Sequence, residues 1–297
     1  ANADIMFTRV AFKPMAGLAI EPLWVWFNNK TGSAGTALVN TGTTLNAGSV
    51  LVPHAPGQSR HTLGGRVAYR QGMFDGTFES YWQTGHFDAA DGRNVSINAT
   101  AMAIEGGITL QNVPTSPRLG LEFNYASGDS NGANCNTSTS SGTTACSGNA
   151  NTFENLYPTN HIVMGYADRM AWRNMIGYSG SLQLNPTQQT HLETRYWLFR
   201  KANQNDCWYS ANQACTGGTD GVNSGVAGRT TDNSLYKELD VIFTMFFKNN
   251  KVAWQTGGAY LWAGHGMDQI VNGGTQGVNA TGARNSAWGY SQLQVNF

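Results

Sequence analysis

Alternation of apolar and polar residues over long stretches restricts the fold of this chain more than any other feature. In segment 62–70, the apolar residues share one face of an extended strand, opposite the polar ones: Leu63, Val67 and Tyr69 against Thr62, Arg66 and Arg70. A repeat of two residues is the signature of β-strands with one apolar and one polar face. Segments 118–125, 191–198 and 238–247 alternate in the same way and fit no helical spacing. The sequence therefore predicts an all-β chain.

The length of the strands favours a membrane barrel over a soluble sheet. We predict eleven strands, near residues 3–13, 16–28, 59–72, 75–87, 95–110, 117–128, 170–184, 189–201, 236–248, 251–264 and 286–297. About ten residues, tilted near 40°, cross the roughly 25 Å apolar band of an outer membrane, whereas soluble strands have about five or six residues. The predicted fold is a transmembrane antiparallel β-barrel of outer-membrane type. Its lipid-facing residues should include Leu63, Leu121, Phe123, Leu192, Phe243 and Met245.

Composition agrees with a barrel. Charged residues make up 12% of the chain, about half of the roughly 25% that is usual in soluble domains. The longest apolar run, Val241–Phe247, is far shorter than the roughly 18 residues of a spanning helix. Aromatic residues near strand ends fit interfacial girdles: Trp24, Trp26, Trp172, Trp254, Tyr260 and Trp262. A secreted β-sandwich or solenoid is the alternative, because a soluble sheet also has a polar face.

The connections predict the orientation of the barrel. Short turns follow Lys13, Gly72, Leu110, Leu184 and Lys248, and long polar loops occupy 29–58, 129–169, 202–235 and 265–285, with a shorter one near 88–94. Bacterial barrels keep short turns in the periplasm and long loops outside. The alternating last strand, which ends at Phe297, and the first strand would then both run towards the periplasm. We therefore expect a single barrel domain over 1–297 that lacks an odd number of N-terminal strands or receives them from a partner chain.

The four cysteines form two close pairs within loops rich in Ser, Thr, Asn and Gly. We expect the disulfides Cys135–Cys146 and Cys207–Cys215 on the extracellular side, which implies an oxidising compartment. Zinc binding is the rival interpretation, but the intervals are not of the C-x-x-C kind and no histidine cluster accompanies them. We expect no metal and no cofactor.

The polar strand faces predict the lining of a water-filled pore. We expect this lining to comprise Arg66, Arg70, Glu79, Tyr81, Gln83, Arg118, Glu122, Asn124, Arg173, His191, Glu193, Arg195, Glu238 and Asp240. Charge rings tune the selectivity of pores, and arginines and carboxylates are evenly mixed here. The mixture predicts weak ion selectivity, although the pairs could equally serve only to neutralise one another.

The sequence resembles the alginate export family of outer-membrane proteins in a series of segments that follow the family's order: His61–Arg66, Glu79–Gly85, Tyr125–Asp129, Thr152–His161, Gly165–Asp168 and Trp172–Asn174. The resemblance covers roughly residues 55–297 and is closest at Phe153–Asn174. It implies a monomeric barrel of about eighteen strands, so that about seven would be absent here. It also implies export of an acidic polysaccharide through an Arg-rich lumen, from which the mixed charge of this chain departs.

Segment 153–161 lies in the longest loop and has two interpretations. As a loop folded into the pore mouth, it would bring Tyr157, Asn160 and His161 to a passing solute. As a packed structural plug, it would rely on Pro158 to form a turn. We favour the plug.

We expect a porin-like channel of the bacterial outer membrane, surrounded by the lipid bilayer, for passive export or diffusion of a hydrophilic solute or a polysaccharide such as alginate. Eighteen basic and 18 acidic residues without a basic cluster argue against nucleic acid as a partner. One alternative is a structural sheath around an unknown partner protein, such as an electron-conduit cytochrome, since the chain has no haem-attachment motif of its own. A barrel-rim hydrolase is less favoured, because Gly177–Gly180 lacks the full G-x-S-x-G motif and we expect no enzymatic activity.

Overall fold

The computed structural model describes residues 3–29, 58–88, 94–130, 149–156, 163–211, 215–216, 230, 232–247, 251–271 and 285–295. The strands among them are β1 (Ala3–Arg9), β2 (Phe12–Met15), β3 (Leu18–Asn29), β4 (Gln58–Gln71), β5 (Phe74–Asp88), β6 (Asn94–Thr109), β7 (Arg118–Ala126), β8 (Met175–Thr187), β9 (Thr190–Lys201), β10 (Trp208–Tyr209), β11 (Cys215–Thr216), β12 (Ser234–Phe247), β13 (Val252–Ala263) and β14 (Ser286–Val295). In the same ranges, one short helix, α1, spans His265–Val271. No helix in these ranges is long and apolar enough to cross a membrane.

The strands form one large antiparallel sheet whose order follows the chain. The order is β1, β3, β4, β5, β6, β7, β8, β9, β12, β13 and β14, while β10 and β11 pair only with each other. Strand β2 also pairs with β3, beyond an interruption after Arg9, so β1 and β2 share one position in the sheet. Within the described ranges the sheet thus has eleven positions, which confirms the eleven strands predicted from the sequence. Its edges, β1 and β14, are not paired with each other within the described residues.

The two faces of the sheet differ sharply in polarity. Residues in register on neighbouring strands project from the same face, so Val67 shares a face with Ile20 and Phe78, whereas Arg66 shares the other with Glu21. The apolar face is outermost, as shown by Leu121, which is 75% exposed. The predicted lipid-facing residues all lie on it: Leu63, Leu121, Phe123, Leu192, Phe243 and Met245.

Strand β6 departs from this simple division. Val95 and Ile97 face inward and are buried, whereas Ile104 and Ile108 face outward. The register between β5 and β6 is continuous, so no β-bulge causes this change of face. Instead, Ile97 forms a bridge with Ala150, which lies on the inner face. The inner face is apolar here because another part of the chain covers it.

That covering segment is the plug, which we define as residues 149–156 and 163–174. Phe153, Met164 and Met170 of the plug are buried together with Trp197 and Phe199 of β9 and residues of β12 and β13. The plug and the strands that it covers therefore form an apolar core on the inner face, near the long connections. The short turns, at 16–17, 72–73 and 188–189, lie at the opposite end of the strands.

Candidate functional site

A row of ion pairs crosses the inner face from β1 to β5, in the part of the sheet that the plug leaves open. Arg9 Nη2 lies 2.6 Å from Glu21 Oε1, and Arg66 Nη1 lies 3.4 Å from Glu21 Oε2. Arg66 Nε continues the row to Glu79 Oε1 at 3.4 Å. Glu21, Arg66 and Glu79 are in register on consecutive strands, where opposite charges directly across from each other stabilise the sheet.

A second, denser row links β5, β6, β7 and β9. Arg118 Nη2 lies 2.5 Å from Asp75 Oδ1 and 3.3 Å from Glu105 Oε1. Arg195 contacts Glu122, and its Nη2 lies 3.0 Å from Glu193 Oε1 and 3.9 Å from Glu105 Oε1. The guanidinium of Arg195 also lies 5.6 Å from the ring centroid of Trp197. Two arginines thus bind four carboxylates across the inner wall: Asp75, Glu105, Glu122 and Glu193.

Two glycines explain how Arg118 reaches across the sheet. Gly107 and Gly120 are in register with each other and lie on the inward face. A side chain at either position would collide with the guanidinium of Arg118. The glycines therefore leave a shallow track along which Arg118 lies flat against the wall.

The wall near the short turns lines an open cavity of about 870 Å³. Its charged lining residues are Lys13, Arg66, Arg70, Arg118, Asp75 and Glu105. Both of these carboxylates bind Arg118, and Arg66 is paired with Glu21 and Glu79, so Lys13 and Arg70 give the cavity a positive excess. A hydrated solute can be accommodated here, where polar side chains converge.

A buried ion pair anchors the plug to the wall. Arg60 Nη2 of β4 lies 2.7 Å from Glu154 Oε2, and the two side chains are 3% and 2% exposed. Arg173 Nη1 lies 3.9 Å from Glu154 Oε1. The Gln83 amide donates to Glu154 O at 2.7 Å, and Glu154 N donates to Gln83 Oε1 at 2.9 Å. Breaking a buried ion pair by removing one partner typically costs about 3–5 kcal/mol, so this anchor holds the plug firmly.

The plug also covers two carboxylates of β12. Glu238 and Asp240 face inward and are fully buried. Glu238 Oε1 accepts a hydrogen bond of 2.9 Å from Ala167 N in the plug. Gly165 has a φ of +85°, and a Cβ there would lie 2.7 Å from Glu238 Oε1, so the close approach requires glycine. In this conformation a solute cannot reach either carboxylate.

The predicted pore-lining residues fall into two groups. All except Arg173 lie on inward faces of strands. That these residues line a pore stays a prediction. Uncovered or partly covered are Arg66, Arg70, Glu79, Tyr81, Arg118, Glu122, His191 and Glu193, whereas Arg195 is buried among its carboxylate partners and Gln83, Asn124, Glu238 and Asp240 are buried beneath the plug. His191 Nδ1 lies 3.0 Å from Asn185 Oδ1, near a short turn.

Two expectations for the start of β8 were wrong. Arg173 was expected on the strand at 170–184, but β8 begins at Met175 and Arg173 is buried in the plug. Its guanidinium lies 4.1 Å from the ring centroid of Tyr209. Trp172 belongs to no outer girdle, because its ring packs inside, 5.8 Å from Tyr81 and 5.5 Å from Phe153. The polar and aromatic residues before β8 pack inside the molecule, so the strand pattern does not extend to them.

The proposed pore-mouth residues Tyr157, Asn160 and His161 lie outside the described residues.

Sequence reasoning missed the charged residues Glu21, Arg60, Asp75, Glu105 and Glu154. Arg60 could have been found, since it is in phase with Arg66 and Arg70 on the same strand. Glu154 carries no such signal, because it lies outside the strands and its partner is distant in sequence.

Cysteine pairing is described only in part. Cys207 takes part in a disulfide bond. Cys215 is paired with Tyr209 across the β10–β11 ladder, which places its backbone near that of Cys207. The bond Cys207–Cys215 itself stays a prediction. Burial raises the pKa of Tyr209 well above its ordinary value, and its hydroxyl donates to Asp206 Oδ1 at 2.8 Å. Cys135 and Cys146 lie outside the described residues.

No metal centre emerges in the described ranges, where no three His, Cys, Asp or Glu side chains cluster suitably for an ion.

Among curated proteins, no match is found. Among solved structures, the chain is similar to OmpT, an outer membrane protein of Vibrio cholerae folded in vitro, with 9% identity, a TM-score of 0.34, and coverage of 98% of this chain and 89% of that chain. A family model described as alginate export matches residues 24–276. Because this match spans most of the sheet, the chain belongs to the alginate export family and is a β-barrel protein of the bacterial outer membrane.

Proposed function

We propose that this protein is a passive channel through which a hydrophilic solute, such as a polysaccharide of the alginate type, crosses the outer membrane. The observation that carries the proposal is the charged inner wall, where ion-pair rows run from Arg9 to Glu79 and from Asp75 to Arg195. Such a wall stays hydrated while the outer face is apolar, as a pore in a bilayer requires. Membership of an export family supports the same function.

The proposed orientation places the long connections outside the cell and the short turns in the periplasm, as in other bacterial barrels. The cavity lined by Lys13, Arg70 and Arg118 then opens at the periplasmic end, where an exported solute enters. The plug lies towards the outside.

Ion selectivity tests the nature of the wall. Reversal potentials across a planar bilayer, measured with the natural protein under a salt gradient, should show weak selectivity, because arginines and carboxylates alternate along both rows. Strong cation preference would contradict the assignment of the arginines to the pore wall. Absence of any conductance, in protein shown to be folded, would contradict the channel itself.

The plug should set the conductance. In the described conformation it fills the inner face near the long connections, held by Glu154 and its partners Arg60 and Arg173. Glu154→Gln leaves two buried arginines without their carboxylate, so we expect a looser plug and a higher conductance in single-channel recordings. The matched control is Asp4→Asn, which removes a carboxylate from the outward face, away from both the plug and the proposed path. Equal conductance of Glu154→Gln and the natural protein would show that the plug does not obstruct the path.

A second candidate function rests on an apolar patch of the inner face. Ile5 and Phe7 of β1 are in register with Phe27 and Val25 and so face inward, yet they are 42% and 72% exposed. A barrel that serves as a sheath would cover such a patch with a partner protein. Co-purification of a haem protein with the natural chain under mild detergent would favour the sheath, and a homogeneous, conducting single chain would favour the channel.

A further inference from the structure

On the described strands, the outward face carries almost no charge except near the long connections. Among outward-facing strand residues whose side chains are described, the cations are Arg200 of β9 and Lys237 of β12. The carboxylate Asp4 faces outward on the edge strand β1, far along the sheet. The two cations therefore form an isolated basic site on a surface that otherwise meets lipid.

Arg200 and Lys237 lie close enough to bind one anionic group together. Lys237 is in register with Leu198, and Arg200, two residues further along the same neighbouring strand, pairs with Ser234 beyond a register shift in β12. Such diagonal neighbours have Cα atoms roughly 7–8 Å apart, within reach of two long side chains that converge. Both residues are exposed, and neither forms an ion pair with a described residue.

Aromatic residues place this pair at the membrane interface. On its other side, Lys237 is in register with Trp262. The Trp262 ring lies 4.8 Å from Tyr260 and 6.2 Å from Tyr196, both of which also face outward. Trp and Tyr concentrate at the headgroup level of a bilayer, where a cation on a barrel's outer face is tolerated far better than at the midplane. The headgroups at this level are the ligands that the pair can reach.

We propose that Arg200, Lys237 and Trp262 form a binding site for the phosphate groups of lipopolysaccharide in the outer leaflet. The site lies near the long connections, so the choice of leaflet rests on the orientation in the proposed function. In that leaflet the anionic groups nearest the apolar band are the phosphates of lipid A. Arginine and lysine bind phosphate through charge-assisted hydrogen bonds, and the indole of Trp262 packs beside the sugar and acyl region.

Binding of defined lipids tests the site. The natural full chain, purified in detergent and stripped of lipid, would be titrated with diphosphorylated lipid A, dephosphorylated lipid A and phosphatidylglycerol, and bound lipid counted by native mass spectrometry. A cation near an anionic lipid surface contributes roughly a factor of five, so Arg200→Gln with Lys237→Gln should weaken lipid A binding about thirtyfold. The exchange of the two cations, Arg200→Lys with Lys237→Arg, should retain it. Arg70→Gln, inside the barrel, should leave it unchanged.

Several results would count against a lipid A site. Unchanged lipid A binding in the double Gln variant, or equal binding of dephosphorylated lipid A, would overturn the proposal. Tighter binding of phosphatidylglycerol than of lipid A would overturn the assignment to the outer leaflet. Displacement of lipid A by millimolar inorganic phosphate would reduce the site to a general anion site. Conductance of the same variants should be unaltered, so a failure here is distinguishable from a failure of the channel.

Discussion

Replacing Arg195 with leucine removes the cation on which three carboxylates of the inner wall converge. Its guanidinium contacts Glu122 and lies 3.0 Å from Glu193 and 3.9 Å from Glu105, and the side chain is only 9% exposed. Each attraction at about 4 Å is worth roughly 4 kcal/mol at an effective dielectric constant of about 20, and loss of one partner from a buried pair typically costs about 3–5 kcal/mol. We expect Arg195→Leu to lower the free energy of unfolding by about 3–5 kcal/mol.

The assay is reversible urea unfolding in phospholipid vesicles, followed by tryptophan fluorescence. Arg70→Leu serves as the control, since Arg70 is exposed on the same face, and should cost less than about 1 kcal/mol. Adding Glu122→Gln to Arg195→Leu removes one of the repelling carboxylates and should restore about 1–3 kcal/mol, the coupling usual for residues in direct contact. A loss below about 0.5 kcal/mol for Arg195→Leu, or no recovery in the double variant, would refute the view that this arginine neutralises the wall.

Other predictions concern the outer face and the long connections. Phe243→Arg places a charge on the lipid-facing side and should lower the free energy of unfolding by roughly 2–4 kcal/mol if the site is near the midplane; an unchanged value would mean that Phe243 does not face lipid. Hydrogen bonding from Ser234 N–H is the main reason for the lowered pKa of Asp232, whose carboxylate lies 3.3 Å from His265 Nδ1. The stabilisation from Asp232 is therefore present above its ordinary pKa of about 3.9 and is lost as the pH falls through the lowered value. Accordingly, Asp232→Asn should speed amide exchange in residues 265–271 at pH 7 but not under strongly acidic conditions, and an equal difference at both would exclude the carboxylate as the cause. Peptide mapping without reduction should recover Cys207 joined to Cys215, and two free thiols would show that prediction to be wrong.

Much of the sheet could be predicted because its signal is local. In a strand, residues two apart share a face, and a membrane barrel demands opposite polarity on the two faces along the whole strand. Segment 62–70 therefore revealed both its lipid side, at Leu63, and its inner side, at Arg66. The prediction erred at Trp172 and Arg173, where polar and aromatic residues that resemble a strand belong to the plug instead.

The sequence by itself determined the main strands of the sheet, their antiparallel order and the side on which most of their residues lie, since these depend on neighbours along the chain and on the choice between lipid and water. Only the tertiary structure decided which inward residues are open to a solute. Gln83 and Glu238 have the same alternation as Arg66, but the plug buries the first two and leaves the third accessible. The pair Arg60–Glu154, which holds that plug, joins a strand to a distant loop. Such a contact depends on how the chain folds back upon itself, so no local periodicity encodes it.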